Sequence, residues 1–167
     1  MSTVEYPGKR FAVDIMLGKL AKWLRALGFD ARSMNLHDLA RIDSLLSEGF
    51  IPVTRREKFR DMEGVLFIRD DHQFEQLKEV ICTLNIGIDE LRPFSRCSLC
   101  NAELIQIPRE AAFGVVPDYV FETVYDFRKC AECARVYWPG SHRKRMIDKL
   151  ESATGWDLRE EGKDGGR

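Results

Sequence analysis

The sequence predicts an α/β protein: a parallel sheet flanked by helices, followed by a small cysteine-bearing module. Three observations carry that prediction. The first 94 residues alternate short apolar runs with helical hydrophobic patterns, as parallel strands joined by helices do. Four of the five cysteines fall in two Cys-x-x-Cys pairs, both beyond residue 94. The 167 residues suit one domain of roughly 100 residues plus an appended module, long enough to bury roughly 70% of the unfolded surface without disulfides.

Composition narrows the class further. With 44% hydrophobic and 32% charged residues the chain is neither disordered nor collagenous. Its 26 Lys and Arg against 27 Asp and Glu give a net charge of −1, which excludes a histone-like basic blanket but permits a local basic patch. No apolar run reaches the roughly 20 residues of a membrane helix, and Met1 to Gly8 lacks the apolar stretch of an export signal. The expectation is a cytoplasmic chain without a membrane partner.

The elements follow in order. Phe11-Ala12-Val13 is an apolar run ending at Asp14 and reads as a strand. Met16, Leu20, Trp23, Leu24 and Leu27 then recur at three- and four-residue steps, the core stripe of a helix that stops at Gly28. Lys19, Lys22 and Arg25 lie off that stripe and give the helix a basic outer face. A second helix is predicted from Leu36 to Glu48, with Leu39, Ile42, Leu45 and Leu46 inward. Phe50 to Thr54 reads as a strand despite Pro52, which cannot donate to a ladder. A short polar helix (Glu57 to Met62) leads to the strand Val65 to Ile68. The next helix carries Phe74, Leu77, Val80, Ile81 and Leu84 inward, with Cys82 packing beside them. The expected organisation is an α/β domain over 9–94, a cysteine module over 95–150 and a flexible polar tail over 151–167.

The paired thiols Cys97/Cys100 and Cys130/Cys133 predict a metal site, because zinc takes four soft ligands in a tetrahedron and two knuckles supply two each. In a chain without an export signal such pairs are more often ligands than disulfides. Strand-like Leu104 to Ile107 and Arg135 to Trp138 fit a ribbon, although residues 101–129 between the pairs exceed the roughly 15–20 of common ribbons. With every position filled by protein the zinc is structural, folding a module too small to build its own core. Arg96, Arg128, Lys129 and Arg135 offset its negative charge.

Acids gather where strands end. Asp14 follows the first strand, Asp38 opens the second helix, and Asp70-Asp71 follow the strand ending near Ile68. Functional residues of parallel sheets collect at the carboxyl ends of strands. Carboxylates gathered there are what a hard cation such as Mg²⁺ or Mn²⁺ requires. Asp38, Asp70 and Asp71 also have the pattern of helix caps.

The run from Phe11 to Gly28 (FAVDIMLGKLAKWLRALG) resembles the opening of the Mut-seven C-terminal RNase domain family, which pairs a PIN-like nuclease fold with a zinc ribbon. The resemblance continues through Pro93 to Asn101 and Arg135 to His142, and covers about Arg10 to Met146. It implies metal-dependent cleavage of RNA by clustered acids, with Asp14 matching the first, Asp38 an acid before the second helix, and Asp70-Asp71 the acidic end of the later strand. Two positions depart from it. The family's strand ends in Thr-Arg-Asp, whereas this chain reads Thr54-Arg55-Arg56-Glu57, and a guanidinium repels a metal ion. Glu57 then substitutes by a one-residue shift, the site works with fewer acids, or catalysis is lost. In the second knuckle Ala134 stands where the family carries glycine, which predicts slight strain.

Candidate phosphate contacts are Lys19, Lys22 and Arg25, Arg55 and Arg56 beside the acids, and Arg143-Lys144-Arg145 after the ribbon. Tyr137, Trp138 and His142 are candidates for stacking on unpaired bases, Trp138 alternatively for a small core. Two functions follow from the sequence. One is a Mg²⁺- or Mn²⁺-dependent ribonuclease using Asp14, Asp38, Asp70 and Asp71. The other, motivated by Arg56, is a catalytically impaired module that binds RNA or a ribonucleoprotein partner.

Overall fold

Phe11, Ala12 and Val13 are completely buried, as a strand covered on both faces must be, and they form the centre of β1 (Arg10–Asp14). The structure is a computed structural model that describes residues 8–158. Around β1 lie β2 (Asp30–Met34), β3 (Phe50–Thr54) and β4 (Leu66–Phe67), all parallel, in the order β2-β1-β3-β4. The helices are α1 (Gly18–Ala26), α2 (Leu39–Ser47) and α3 (Gln73–Thr83). The α/β class with a parallel sheet flanked by helices is therefore as predicted.

Two layers of side chains hold the sheet. Ala12 points to one face, where Leu36, Ile42, Leu45, Phe50 and Phe59 form a buried cluster under α2. Strand alternation leaves Phe11 and Val13 for the opposite face, where the Phe11 ring meets Phe29 edge-on at 5.5 Å. Trp23 of α1 packs on Phe74 of α3 (ring centroids 5.1 Å apart) and its indole N–H donates to Gln73 (2.8 Å).

Pro52 sits inside β3 without breaking it. Residues two apart in a parallel strand face the same neighbour, and the Thr54 carbonyl accepts from Ile68 N–H on the β4 side (2.9 Å). Pro52 faces that side too, but β4 pairs only with Val53 and Thr54, so the missing N–H has no ladder partner to lose.

The end of α1 is tied to the following connection. Its last carbonyls, Ala26 and Leu27, accept from Phe94 and Arg92 N–H, each at 2.9 Å. Gly28 lets the backbones come this close: its φ is +98°, and an added Cβ would lie 2.3 Å from the Arg92 carbonyl. On the outer side of β2, the Ala31 N–H donates to Asn101 Oδ1 (3.0 Å) and the Ala31 carbonyl accepts from Arg25 Nε (2.7 Å).

The described chain divides into two compact units, one ending at Asn101 and one beginning at Ala102. In the second unit β5 (Leu104–Ile107), β6 (Phe127–Cys130) and β7 (Val136–Tyr137) form an antiparallel sheet in that order. Its core is small: Ala112, Val116, Val120 and Phe127, with Trp138 and Val136 packed against them. Trp138, half-buried, packs against this core, the alternative the sequence offered for it. Two helices absent from the sequence reading also lie here, α4 (Asp118–Thr123) and α5 (Ser141–Thr154). Of the polar tail expected over 151–167, residues up to Thr154 belong to helix α5 and Leu158 is buried; residues 159–167 lie outside the described chain. Cys82, expected to pack beside the α3 stripe, is exposed. No described helix is long and apolar enough to cross a membrane.

Candidate nucleic-acid site and metal centre

The chain leaves β1 through α1 to reach β2 on one side, then returns through α2 to β3 on the other. The carboxyl ends of β1 and β3 therefore flank the point where strand order reverses, the place where open parallel sheets bind ligands. Asp14 ends β1 there and Thr54 ends β3.

Asp14 is fully buried. The Thr54 hydroxyl donates to its Oδ2 at 2.7 Å. The Arg56 guanidinium donates side-on, Nε to Oδ2 at 2.8 Å and Nη2 to Oδ1 at 3.4 Å. The same Nη2 donates to Asn35 Oδ1 (2.8 Å), and the Arg56 N–H donates to the Thr54 hydroxyl (3.1 Å), which fixes the turn. The hydrogen bond to Asp14 raises the Arg56 pKa above the ordinary arginine value. Arg56 therefore supplies at Asp14 the positive charge that a buried carboxylate demands.

The other acids are engaged separately. Asp38 caps α2, its Oδ1 accepting from Arg41 N–H at 2.8 Å, while His37 Nε2 lies 3.3 Å from its Oδ2. Asp70 accepts from His72 N–H (2.7 Å), and Asp71 pairs with Arg55. Glu57 is taken by Arg60 at 2.6 and 2.8 Å, and this partner holds its carboxyl below the usual range. The one-residue shift that would bring Glu57 to Asp14 is not realised. Among the described residues the four cysteines are the only group of three or more His, Cys, Asp or Glu side chains placed to hold a metal ion. Asp14, Asp38, Asp70 and Asp71 do not form such a group.

A cleft of about 660 Å³ is lined by Lys19, Lys22, Arg25, Ser33, Asp71, His72 and Gln73. Lys19 and Lys22 are exposed. Arg25 is not part of a basic outer face: it is only 7% exposed, and burial pulls its pKa below the arginine value against the raising effect of Cys97, Cys100 and Asp30. Its Nη1 donates to the carbonyls of Ser98 (3.0 Å) and Leu99 (3.3 Å), and Nη2 to Ser33 Oγ (3.3 Å). Arg143 is half-buried; desolvation lowers its pKa, the neighbouring Arg128 adds to this, and Asp126 acts the other way. Thr54, Asn35 and Asn101 escaped the sequence reading. Thr54 was the detectable one, a hydroxyl at the end of the strand beside the first acid.

The thiols of Cys97, Cys100, Cys130 and Cys133 lie within 4.8 Å of one another and can hold a metal ion such as zinc. The two knuckles close alike: Asn101 N–H donates to the Cys97 carbonyl (3.0 Å) and Ala134 N–H to the Cys130 carbonyl (3.2 Å). Both closing residues have positive φ, 69° at Asn101 and 59° at Ala134. Asparagine tolerates this; alanine is strained.

Comparison with known proteins gives one finding. Residues 9–150 match the Mut7-C RNAse domain. No curated protein and no solved structure matches the chain. The match takes in Asp14, both knuckles and all but the last stretch of α5, and with that span the chain belongs to the Mut7-C RNAse domain family.

Proposed function

We propose that this chain is an RNA-binding member of its family whose acid pocket is closed by an internal cation, and that it holds RNA without hydrolysing it at Asp14. The Arg56–Asp14 pair carries this reading. A buried carboxylate bonded to a guanidinium fork and a hydroxyl already has its counter-charge, which weakens its pull on a second cation. The family supports RNA as the ligand, and the cleft offers Lys19 and Lys22 to phosphates. The zinc is structural in this reading, because four thiolates leave no open position. Paired thiols held as ligands support a reducing, cytoplasmic setting.

The tests separate binding from cleavage. Labelled single-stranded and structured RNA are incubated with the full chain in Mn²⁺ or in EDTA. The expected outcome is salt-sensitive binding and no metal-dependent cleavage. Replacing both lysines (Lys19→Gln with Lys22→Gln) should flatten the slope of log K against log salt by about 1.4, roughly 0.7 per single-strand phosphate contact. Arg56→Asp leaves two acids at the pocket and no counter-charge, so it should create divalent-ion binding that calorimetry detects.

A second reading, metal-dependent hydrolysis by Asp14 with Asp38, Asp70 and Asp71, is favoured by the family's RNase character and by Asp14's place at the switch point. Cleavage by the unmodified chain that Asp14→Asn abolishes would establish it and displace the first.

A further inference from the structure

The first knuckle and the cleft share a residue. Arg25 grips the carbonyls of Ser98 and Leu99, the two residues between Cys97 and Cys100, and with the same guanidinium holds Ser33 on the cleft wall and the Ala31 carbonyl. Asn101, which closes that knuckle, adds two bonds to the same strand, accepting from Ala31 N–H (3.0 Å) and donating to Asp30 Oδ1 (2.6 Å). Arg96, immediately before Cys97, donates to the carbonyls of Asn101 (2.9 Å) and Gly28 (3.3 Å). The strand that forms one wall of the cleft is thus fastened to a loop whose own shape depends on two metal-ligating thiols.

We propose that metal occupancy of the cysteine group controls the cleft, and that Arg25 is the positioning residue that couples the two. A metal fixes the Cys97–Cys100 turn and so aims the Ser98 and Leu99 carbonyls at Arg25. Without it the turn loses its covalent-like restraint, and a buried guanidinium deprived of acceptors must find others or move. Either response shifts Ser33 and the adjoining Lys22 wall. The coupling is reciprocal: a ligand that orders the cleft also strengthens the metal's hold. This inference rests on the proposed RNA role for the ligand, but the coupling itself is read without RNA.

The experiment uses the full chain, zinc-loaded and chelated, in amide hydrogen exchange. The expected result is a fall of about tenfold or more in protection at Ala31 on metal removal, with Val53 in β3 unchanged, within the usual range of coupling strengths. Equal loss at Val53 would mean general unfolding, and no loss at Ala31 would mean no link; either overturns the proposal. Affinity for a short oligouridylate is then measured in both metal states. It should weaken about fivefold or more on chelation, and Arg25→Lys, or Ser33→Ala if that variant does not fold, should keep its zinc while losing this dependence. An affinity that follows metal equally in the unmodified and variant chains overturns the assignment to Arg25. A chain that binds no RNA in either metal state removes the proposed RNA role, and the exchange comparison still decides the coupling.

Discussion

At Asp14 the chemistry is decided by which cation stands beside the carboxylate. A divalent ion would have to compete with a cation already in place; here Arg56 and Thr54 bond to the carboxylate, and Asn35 keeps Arg56 in position. A second residue shows the opposite situation, strain with no visible gain. Ala134 closes its knuckle at φ 59°, a conformation that costs an ordinary residue about 1–2 kcal/mol. Ala134→Gly should therefore stabilise the zinc-loaded chain by about 1 kcal/mol, seen as a higher melting temperature, with metal content unchanged. The strain at Ala134 was legible in the sequence because the family that the chain resembles carries glycine at that position. Arg25 was not, since an arginine off the apolar stripe of a helix looks solvent-facing. Its burial comes from a loop more than seventy positions further along the chain, and no local pattern encodes that.

Among the elements, α2 tests what its first acid does. Asp38 accepts from Arg41 N–H as an N-cap, so Asp38→Ala should cost about 1 kcal/mol in chemical denaturation. Asp38→Ser should recover most of that loss because serine caps equally well. Neither variant should change RNA affinity; a catalytic or ligand role would instead make serine as damaging as alanine. Elements with continuous apolar runs or clear stripes, β1, β3, α1 and α3, could be read from the sequence. Strand β2 could not: Asp-Ala-Arg-Ser-Met buries only Ala31 and presents no alternation strong enough to see. Helix α5 was equally silent, with only Leu150 buried along fourteen residues. The strand-end placement of the acids was legible, but their pairing depends on side-chain direction, which spacing does not fix.

For the molecule as a whole, stability divides between its two units. The first has a sheet buried on both faces. The second has a small central cluster, Ala112, Val116, Val120 and Phe127, with little else buried besides Cys130, Leu150 and Leu158, which is thin cover for a sheet and two helices. Metal removal should therefore strip exchange protection from Val120 and Phe127 while Val13 and Val53 keep theirs, because the metal contributes folding free energy where the core is smallest. Loss of protection at all four would show that the sheet also depends on the ion.

The two bonds at Ala31 have one more effect. Strand β2 is the outermost of its sheet, so its backbone on that side would otherwise stand ready to recruit a strand from another molecule. Asn101 and Arg25 fill those valences with side chains, which extend no ladder. At Ala31 the edge of the parallel sheet is thereby capped against strand addition, and this guard against aggregation is built from the same two residues that brace the first knuckle.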